Sequence, residues 1–287
     1  MDRRGVLSSI LKLAGVILLM AICLGLGILL SSVLIPTPQI AVIRIEGDIW
    51  TFTTAPISQA LEEAGRDPAV HAVVLEIASP GGEVTASEGL YFDILEVRER
   101  KPVYASVDEL AASGAYYVAS AADRIYAKPS SAVGNIGVIS FLPDPDFVDE
   151  ELYTTGPFKL SGGPQVAYIR QMEMMKDTFL AAITAQRGDR LEIEPEVLSR
   201  GEIYLGLQAQ QMGLIDEIGS QAEAISAAAA LAGIRHYDIV DWTPSLPEDE
   251  FLMEDLIPLE GSTAATLAAP PEQLPPGFYY RYVEPPQ

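Results

Sequence analysis

AVVLEIASPGGEVTASEGLYFDIL, at residues 72–95, contains a strand, a glycine turn and a helix in direct succession. Residues 72–77 form a short, mostly apolar run, which predicts a buried β-strand. The motif Ser79-Pro80-Gly81-Gly82 follows this strand, and Thr85 and Glu88 then have the spacing of a capping box at a helix start. Four apolar residues share one face of that helix: Leu90, Tyr91, Ile94 and Leu95. This strand, turn and helix form the unit on which the fold prediction rests.

The same alternation of strand and helix extends on both sides of this unit. Residues 40–45 (IAVIRI) predict a strand, and a helix follows in which Pro56 lies near the start and Gly65 just past the end. Residues 103–107 predict the next strand, and residues 112–122 predict a helix rich in small residues. Further elements are predicted downstream: extended pieces at 125–127 and 137–141, helices at 165–187, 207–212 and 220–232, and a short helix that opens at Pro195. The pattern predicts an α/β domain with mostly parallel strands, whose ligand site lies beyond the C-terminal ends of the strands.

The C-terminal part of the chain differs in composition from this domain, which we assign to residues 36–242. Residues 243–287 contain nine Pro and a cluster of acidic residues, so they are predicted to be a tail without a fold of its own. Within it, residues 278–282 (FYYRY) are an aromatic cluster. Exposed aromatic residues among prolines favour a contact, so we expect this cluster to pack on a neighbouring subunit or in the substrate groove.

An uncharged segment near the N-terminus predicts a membrane anchor. Residues 13–35 are 23 consecutive uncharged residues, enough for a helix to cross a hydrocarbon layer of about 30 Å. Three basic residues lie in the preceding residues 1–12, so the positive-inside rule predicts a cytoplasmic N-terminus and an extracytoplasmic domain after Pro36. A cleaved signal peptide is the alternative, although residues 31–34 (SSVL) supply a poor cleavage site. We expect a retained single-pass anchor in the cell membrane, which contacts lipid through residues 13–35.

Composition excludes several classes of function. Hydrophobic residues make up 49% of the 287 residues, which is enough for a packed core and excludes global disorder. There are 40 acidic and 18 basic residues, and the formal net charge of -22 is the wrong sign for a protein that holds nucleic acid through its phosphates. The only histidines are His71 and His236, so a metal site of several imidazoles is not expected, and no cofactor is predicted.

Two turns that follow predicted strands carry residue types suited to acyl transfer. In the first, Gly81 and Gly82 let backbone N–H groups approach a ligand that any Cβ would obstruct. In the second, Ala111-Ala112-Ser113-Gly114, the hydroxyl of Ser113 lies at a helix N-terminus beside the N–H of Gly114. Together they suggest a nucleophilic serine with an oxyanion hole. The alternatives are an ordinary turn before a helix and an N-cap role for Ser113.

A nucleophilic serine also needs a base. The two histidines do not look placed for catalysis, which weakens a Ser-His-Asp triad without eliminating it. A lysine amine can serve if burial keeps it neutral. Lys159 has apolar neighbours and adjacent turns and is the first candidate, with a solvated loop lysine as the alternative. Lys128 and Lys176 are the competing candidates.

Four stretches of the chain together resemble a known family, the membrane-anchored signal peptide peptidases. They are AVIRIEGDI (41–49), VVLEIASPGGEVTASEGLY (73–91), KPVYASVDELAASGAYYVASAADRIYAKPSSAVGNIGVIS (101–140) and GEIYLGLQAQQMGLIDEIG (201–219). The family consists of Ser-Lys serine proteases that share a fold with Clp protease and the crotonases. The resemblance covers most of residues 40–235, and it implies a Clp protease/crotonase-like spiral of ββα units behind a single N-terminal transmembrane helix.

The resemblance also implies roles for individual residues. Ser113 matches the family's nucleophile, and Lys159 aligns best with its general base. Gly81, Gly82 and Gly114 match the oxyanion hole. The resemblance thus implies that Ser113 attacks a peptide carbonyl while Lys159 takes its proton.

Three positions depart from the family's usual residues. Asn135, in GNIGVIS, stands where a serine commonly orients the lysine, and its side chain can also form hydrogen bonds. Ala115 replaces a second glycine, and Ala78 replaces an asparagine before the SPGG motif. We expect both replacements to be tolerated.

The family implies peptide substrates: remnant signal peptides and other apolar segments in or near the membrane, bound extended as an added strand. Its habit of forming rings with sites between subunits implies a homo-oligomer. A catalytically silent membrane scaffold on the same fold is the first alternative, against which the presence of both Ser113 and Lys159 argues. A crotonase-type acyl-CoA enzyme is the second, and the predicted export argues against it because acyl-CoA is a cytoplasmic substrate.

Overall fold

The computed structural model describes residues 3–34, 36–141, 155–156, 158–159, 162–245 and 277–281. It contains two compact units, Met1–Pro38 and Gln39–Gln287. The first unit contains helix α1 (Arg3–Leu34), in which the side chains of residues 12–27 are exposed. Within the described part of the chain, no helix combines the length and the apolar character needed to cross a membrane. The anchor at residues 13–35 stays a prediction.

The second unit alternates strands and helices. Its strands in chain order are β1 (Gln39–Glu46), β2 (Val70–Ser79), β3 (Gly81–Glu83), β4 (Val103–Ala112), β5 (Arg124–Ala127), β6 (Ala132–Gly134), β7 (Ile139–Phe141), β8 (Ile203–Leu205), β9 (Glu217–Ile218), β10 (Asp238–Asp241) and β11 (Gly277–Arg281). Its helices are α2 (Thr51–Arg66), α3 (Val84–Arg98), α4 (Gly114–Ser120), α5 (Gln165–Arg187), α6 (Pro195–Leu198), α7 (Gly206–Gln211) and α8 (Gln221–Leu231), with a 3-10 turn at Gly188–Arg190.

The main sheet has the strand order β10-β1-β2-β4-β5-β9, with β6 beside β4 and β8 beside β6. Its strand pairs are parallel except for β6 with β8. The prediction of an α/β domain with mostly parallel pairing is confirmed. Because β2 and β4 are parallel neighbours, their C-terminal ends lie side by side.

Both faces of the main sheet are buried. Successive residues of β1 alternate between two apolar clusters: Ala41 and Ile43 belong to the larger, and Ile40 and Val42 to the smaller. Helices α2, α3 and α4 contribute to the larger cluster, and α8 contributes to the smaller. A parallel sheet that is covered on both faces explains why its strands read as nearly continuous apolar runs.

Helix α2 is longer at both ends than predicted. It begins five residues before Pro56, because the backbone N–H of Trp50 donates to the hydroxyl of Thr53 at 2.9 Å and fixes the first turn there. Gly65 lies inside the helix and not past its end, so its predicted role as a C-terminal cap is wrong. It serves close packing instead, since a Cβ at this position would lie 3.3 Å from a methyl group of Val97 on α3.

The capping box predicted from Thr85 and Glu88 is also wrong. Helix α3 begins directly after β3, and its N-cap residue, Glu83, makes no capping hydrogen bond through its side chain. The carboxylate of Glu83 instead accepts hydrogen bonds from the N–H and the hydroxyl of Thr51, at 2.8 and 2.6 Å. Because the chain passes from β3 into α3 without a loop, Thr85 lies within the first turn of the helix.

The predicted tail contributes a strand. Residues 277–281 form β11, the central strand of a second, antiparallel sheet with the order β3-β11-β7. The strand pairs with residues of the domain, so the prediction of a tail without a fold of its own stays untested. The partner strands of β11 lie far away in the sequence, so the aromatic composition predicts a contact for this segment but not which strands it pairs with. Residues 246–276 and 282–287 of the predicted tail lie outside the described residues.

Candidate active site

The two predicted glycine turns lie at adjacent strand ends. Strand β2 ends at Ser79 and β4 ends at Ala112, and Ser79 pairs in register with Ala111. Helix α4, which follows the second turn, contacts β3 in the first. The two turns therefore come together at the edge of the sheet where parallel α/β folds bind ligands.

Ser113 is the single residue between β4 and α4. Helix α4 begins at Gly114, two residues later than predicted. Ser113 is not a glycine, yet its φ is 54° and its ψ is -122°. Its backbone N–H donates to the carbonyl of Gly134 at 2.8 Å, and its carbonyl accepts from the N–H of Tyr116 at 2.9 Å and of Tyr117 at 3.0 Å. Its side chain makes no capping hydrogen bond, so the alternative of an ordinary N-cap serine does not describe it.

Gly81 and Gly82 occupy different environments. Gly81 has a φ of 96°, and its N–H donates to the hydroxyl oxygen of Ser79 at 3.1 Å. A Cβ on Gly82 would lie 2.0 Å from the carbonyl oxygen of Ile49. The N–H of Gly81 donates within the turn, which Gly81 shapes together with Ser79, whereas Gly82 lies opposite Tyr280 of β11. Gly82 is therefore the better candidate for an oxyanion donor once that strand partner is displaced.

Two residues that hold this turn were not singled out from the sequence. Ser79 was noted as part of the SPGG motif, but its hydroxyl is fully buried and accepts a hydrogen bond within the turn. Ile49 brackets the glycines through its backbone, which donates to the carbonyl of Gly81 at 2.9 Å and accepts from the N–H of Glu83 at 2.8 Å. A main-chain role of this kind has no signal in the side chain, whereas a hydroxyl two residues before a glycine does suggest a local turn.

Asn135 lies in the loop after β6 and has a φ of 55°. Its backbone N–H donates to the carbonyl of Glu202 at 2.8 Å, and its side-chain Nδ2 donates to the carbonyl of Gly201 at 2.7 Å. The amide nitrogen is thus engaged with the segment before β8. The side-chain oxygen is the atom that could accept a hydrogen bond from an amine.

Lys159 lies in a short turn, and its side chain is exposed. Among the described residues no hydrogen bond joins its amine to the hydroxyl of Ser113, and its expected burial is not provided by the described part of the chain. The competing lysines have partners of their own: Lys128 pairs with Asp108, and Lys176 pairs with Glu173. Those ion pairs weaken the case for either as a neutral base.

The histidines lie at the opposite end of the strands from Ser113. His71 is next to the first residue of β2, and its Nδ1 is 2.9 Å from the carbonyl oxygen of Ala69. At about 3.3 Å per residue, the length of β2 separates it from Ser79 by roughly 26 Å. His236 is exposed and precedes β10, which pairs with the start of β1. Neither imidazole is placed to act on Ser113.

Tyrosines on α4 also fail as proton acceptors. Burial raises the pKa of Tyr116 and of Tyr117, so both phenols stay protonated. The hydroxyl of Tyr116 donates to the carbonyl of Leu214 at 2.8 Å. In the described residues, no group of three or more His, Cys, Asp or Glu side chains is arranged to hold a metal ion.

Comparison with known proteins finds sequence similarity to peptidases. The profile of peptidase family S49 matches residues 96–145 and 160–235, which include Ser113 and Asn135 and begin again directly after Lys159. Protease 4 of Haemophilus influenzae is 33% identical over 219 residues, covering 69% of this chain and 35% of that protein. The chloroplastic serine protease SPPA of Arabidopsis thaliana is 31% identical over 225 residues, covering 68% of this chain and 33% of that protein. The chain thus spans about a third of the length of these two relatives.

Solved structures share the fold at lower sequence identity. A serine-to-alanine mutant of the 1510-N membrane-bound stomatin-specific protease superposes with a TM-score of 0.51 at 15% identity, covering 74% of this chain and all of that one. A lysine-to-alanine mutant of the same protease, in complex with a substrate peptide, gives 0.52 at 16% identity, covering 73% and 94%. The chain is an α/β protein with a strained serine at a strand-to-helix turn. It is similar to peptidase family S49, whose profile it matches over residues 96–145 and 160–235, and to proteins named as protease 4 and as a signal peptide peptidase.

Proposed function

We propose that this protein is a serine endopeptidase in which Ser113 is the nucleophile and Lys159 is the general base. The Ser113 oxygen attacks a peptide carbonyl while the Lys159 amine takes its proton and passes it to the leaving amine. Water then hydrolyses the acyl-enzyme. The N–H groups of Gly82 and Gly114 stabilise the oxyanion, and Asn135 helps to orient the lysine.

The backbone of Ser113 is the observation that carries this proposal. A positive φ costs a residue with a Cβ on the order of 1–3 kcal/mol, and such strain persists only where the surroundings hold it. At Ser113 the hydrogen bonds to Gly134 and from α4 do so. The Ser113 hydroxyl makes no capping hydrogen bond, and the turn that carries it lies beside the glycine turn. The two related structures carry a mutated serine and a mutated lysine, which supports the pairing.

We propose extended apolar peptides, including remnant signal peptides, as the substrates. We also propose that residues 13–35 anchor the chain in the cell membrane, with residues 1–12 in the cytoplasm and the catalytic domain outside. The apolar side chains exposed along α1, such as Leu18 and Leu24, support the anchor. A homo-oligomer is proposed as well, supported by three apolar side chains exposed on the first half of α5: Val166, Ile169 and Met174.

The test uses the full chain in nonionic detergent with a panel of fluorogenic apolar peptides. Wild type should cleave, and Ser113→Ala and Lys159→Ala should each lose at least about 10³-fold in kcat/KM while keeping the wild-type circular dichroism spectrum. Lys128→Ala is the matched control, because its amine is already paired with Asp108 and its loss should leave the rate unchanged.

Two results would count against this assignment. If Lys159→Ala stayed active, another lysine would be the base. If wild type cleaved nothing in detergent or in membranes, the silent scaffold would be the better description.

A further inference from the structure

We propose that residues 277–281 of this chain occupy the peptide-binding groove of the active site and compete there with substrate, an inference that rests on the proposed function. The occupant is a segment of the same chain, the strand β11. Its position is argued from backbone pairing, from its neighbours and from the accessibility of Ser113.

Strand β11 pairs on one side with the glycine turn of the candidate site. It runs antiparallel to β3, with Tyr280 opposite Gly82 and Arg281 opposite Gly81. The other side of Gly82 is already taken, because Gly82 bridges to Ile49. Within the described residues, β11 therefore fills the remaining open edge of β3, and a substrate that adds to the turn as a strand needs that edge.

On its other side β11 pairs with β7. Phe278 lies opposite Ser140 and Tyr279 lies opposite Ile139. The five residues of β11 thus close a gap between two short strands, β3 and β7, which are not paired with each other. A gap between two strand edges that admits one extended chain has the form of a peptide-binding groove.

Ser113 is buried in this structure, and the helix that follows it contacts β11. Helix α4, which starts directly after Ser113, contacts β11, and Ser113 itself is 1% exposed. A peptide carbonyl cannot reach a hydroxyl that is buried to this extent unless something moves. We propose that this movement is the displacement of β11, because it involves five residues outside the main sheet.

Tethering determines how strongly the tail competes. A segment that belongs to the same chain as the groove competes at an effective concentration of up to about 1 mM, so even weak strand pairing keeps the groove occupied much of the time. Substrate binds only to the fraction in which the groove is open, which raises the apparent KM and leaves kcat unchanged at saturation. Removal of β11 should therefore lower KM, by roughly tenfold if the groove is occupied nine-tenths of the time.

The experiment compares three chains in the fluorogenic peptide assay, all of which keep the N-terminal segment. One is wild type, one ends at Pro276 and lacks β11, and one ends at Val283 and keeps it. The chain that ends at Pro276 should show the lower KM with the wild-type kcat, and the chain that ends at Val283 should match wild type. Tyr280→Pro should reproduce the first result, because proline cannot donate to a strand partner. Ala268→Pro, outside β11, is its control.

A binding measurement separates this proposal from the proposed function. The labelled peptide LPPGFYYRYVE, residues 274–284, should bind the chain that ends at Pro276 and carries Ser113→Ala, and should bind the matching full-length variant at least tenfold more weakly. Equal KM values for the truncated and wild-type chains, or equal peptide binding by both variants, would overturn the competition. If no chain cleaved any substrate but the peptide still bound selectively, the catalytic assignment would fail and the groove would stand. If the wild-type protein cleaved off its own tail and the Ser113→Ala protein did not, the tail would be a consumed substrate and not a lasting competitor, which would also overturn the proposal.

Discussion

At the scale of single residues, Gly82 is the position in the candidate site where the backbone approaches its neighbour most closely. In Gly82→Ala the new Cβ would lie 2.0 Å from the carbonyl oxygen of Ile49 and 2.7 Å from its nitrogen, and a backbone cannot yield as a flexible side chain does. We expect the turn to shift, at a cost of about 1–3 kcal/mol in the free energy of unfolding. The displaced N–H should lower kcat by roughly 10²-fold or more. Thermal unfolding and steady-state kinetics measure the two effects.

Gly89→Ala provides the matched control. Gly89 lies in α3, is exposed, and has no atom within 4 Å of the Cβ it would gain. Alanine in a helix interior should raise the stability by up to about 1 kcal/mol and leave kcat unchanged. Wild-type activity in Gly82→Ala would mean that this turn does not hold the oxyanion.

Residue types alone indicated part of this site. Ser113 and the glycines could be read from the sequence because each follows a clear strand and each has a distinctive backbone requirement. The hydrogen bond from the Gly81 N–H to the Ser79 hydroxyl could not be read from the sequence, because such a bond depends on the dihedral angles of the turn. The exposure of Lys159 was also not predictable, since apolar neighbours in sequence do not determine what packs around a side chain.

At the scale of secondary structure elements, a buried ion pair joins α5 to the edge of the sheet. Arg187 and Asp216 are almost completely buried, and the guanidinium Nη1 donates to the carboxylate at 2.8 Å. The same carboxylate accepts from the N–H of Ile125 at 2.8 Å and from Arg190 at 2.9 Å. Because β5 begins next to Ile125, this carboxylate fixes the end of α5 against β5 and β9.

Acid should weaken this junction. Burial by itself would raise the pKa of Asp216, but the hydrogen bond and charge of Arg187, with smaller contributions from Ile125 and Arg190, lower it below its ordinary value of 3.8. A carboxyl group whose pKa is lower in the folded state contributes stability above its unfolded pKa and loses it as the pH falls through the folded pKa. Urea unfolding of wild type should therefore show a loss of stability that starts near pH 4 and continues below it.

Asp216→Asn tests the assignment. It leaves Arg187 buried without its counter-charge, so we expect a loss of about 3–5 kcal/mol at neutral pH and a shallower decline in acid. Asp108→Asn, which removes the exposed partner of Lys128, should cost no more than about 1 kcal/mol. A slope against pH in Asp216→Asn that equals the wild-type slope would assign the acid sensitivity to other carboxylates.

Elements differ in how far they could be predicted from the sequence. Helix α5 has the predicted bounds, and the capping box of Ser220 and Glu223 is present at the start of α8, because local signals determine both. Strand β11 could not be predicted, since its partners lie more than 130 residues away and its flanking prolines are typical of disordered tails. Its stability comes from the pairing and not from its own composition.

At the scale of the whole molecule, the formal net charge of -22 makes repulsion between carboxylates the dominant long-range interaction. The ion pairs of the described residues offset little of it, because apart from the Arg187 pair most have exposed partners and are worth about 0–1 kcal/mol each. Mutual repulsion of surface carboxylates destabilises a compact state. Salt screens both the attraction within the ion pairs and the repulsion between carboxylates, and the repulsion is the larger of the two.

Raising the salt concentration should therefore stabilise the folded chain. The Debye length falls from about 20 Å at 20 mM to about 4 Å at 500 mM, which screens repulsion between carboxylates across the surface. We expect a gain of about 1 kcal/mol, or roughly 2–4 °C in the melting temperature for a chain of this size. NaCl and choline chloride at equal ionic strength should act alike if screening is the cause. The gain should vanish near pH 4.3, where the net charge approaches zero. A melting temperature that fell with salt at pH 7 would mean that surface ion pairs, and not repulsion, control the stability of this protein.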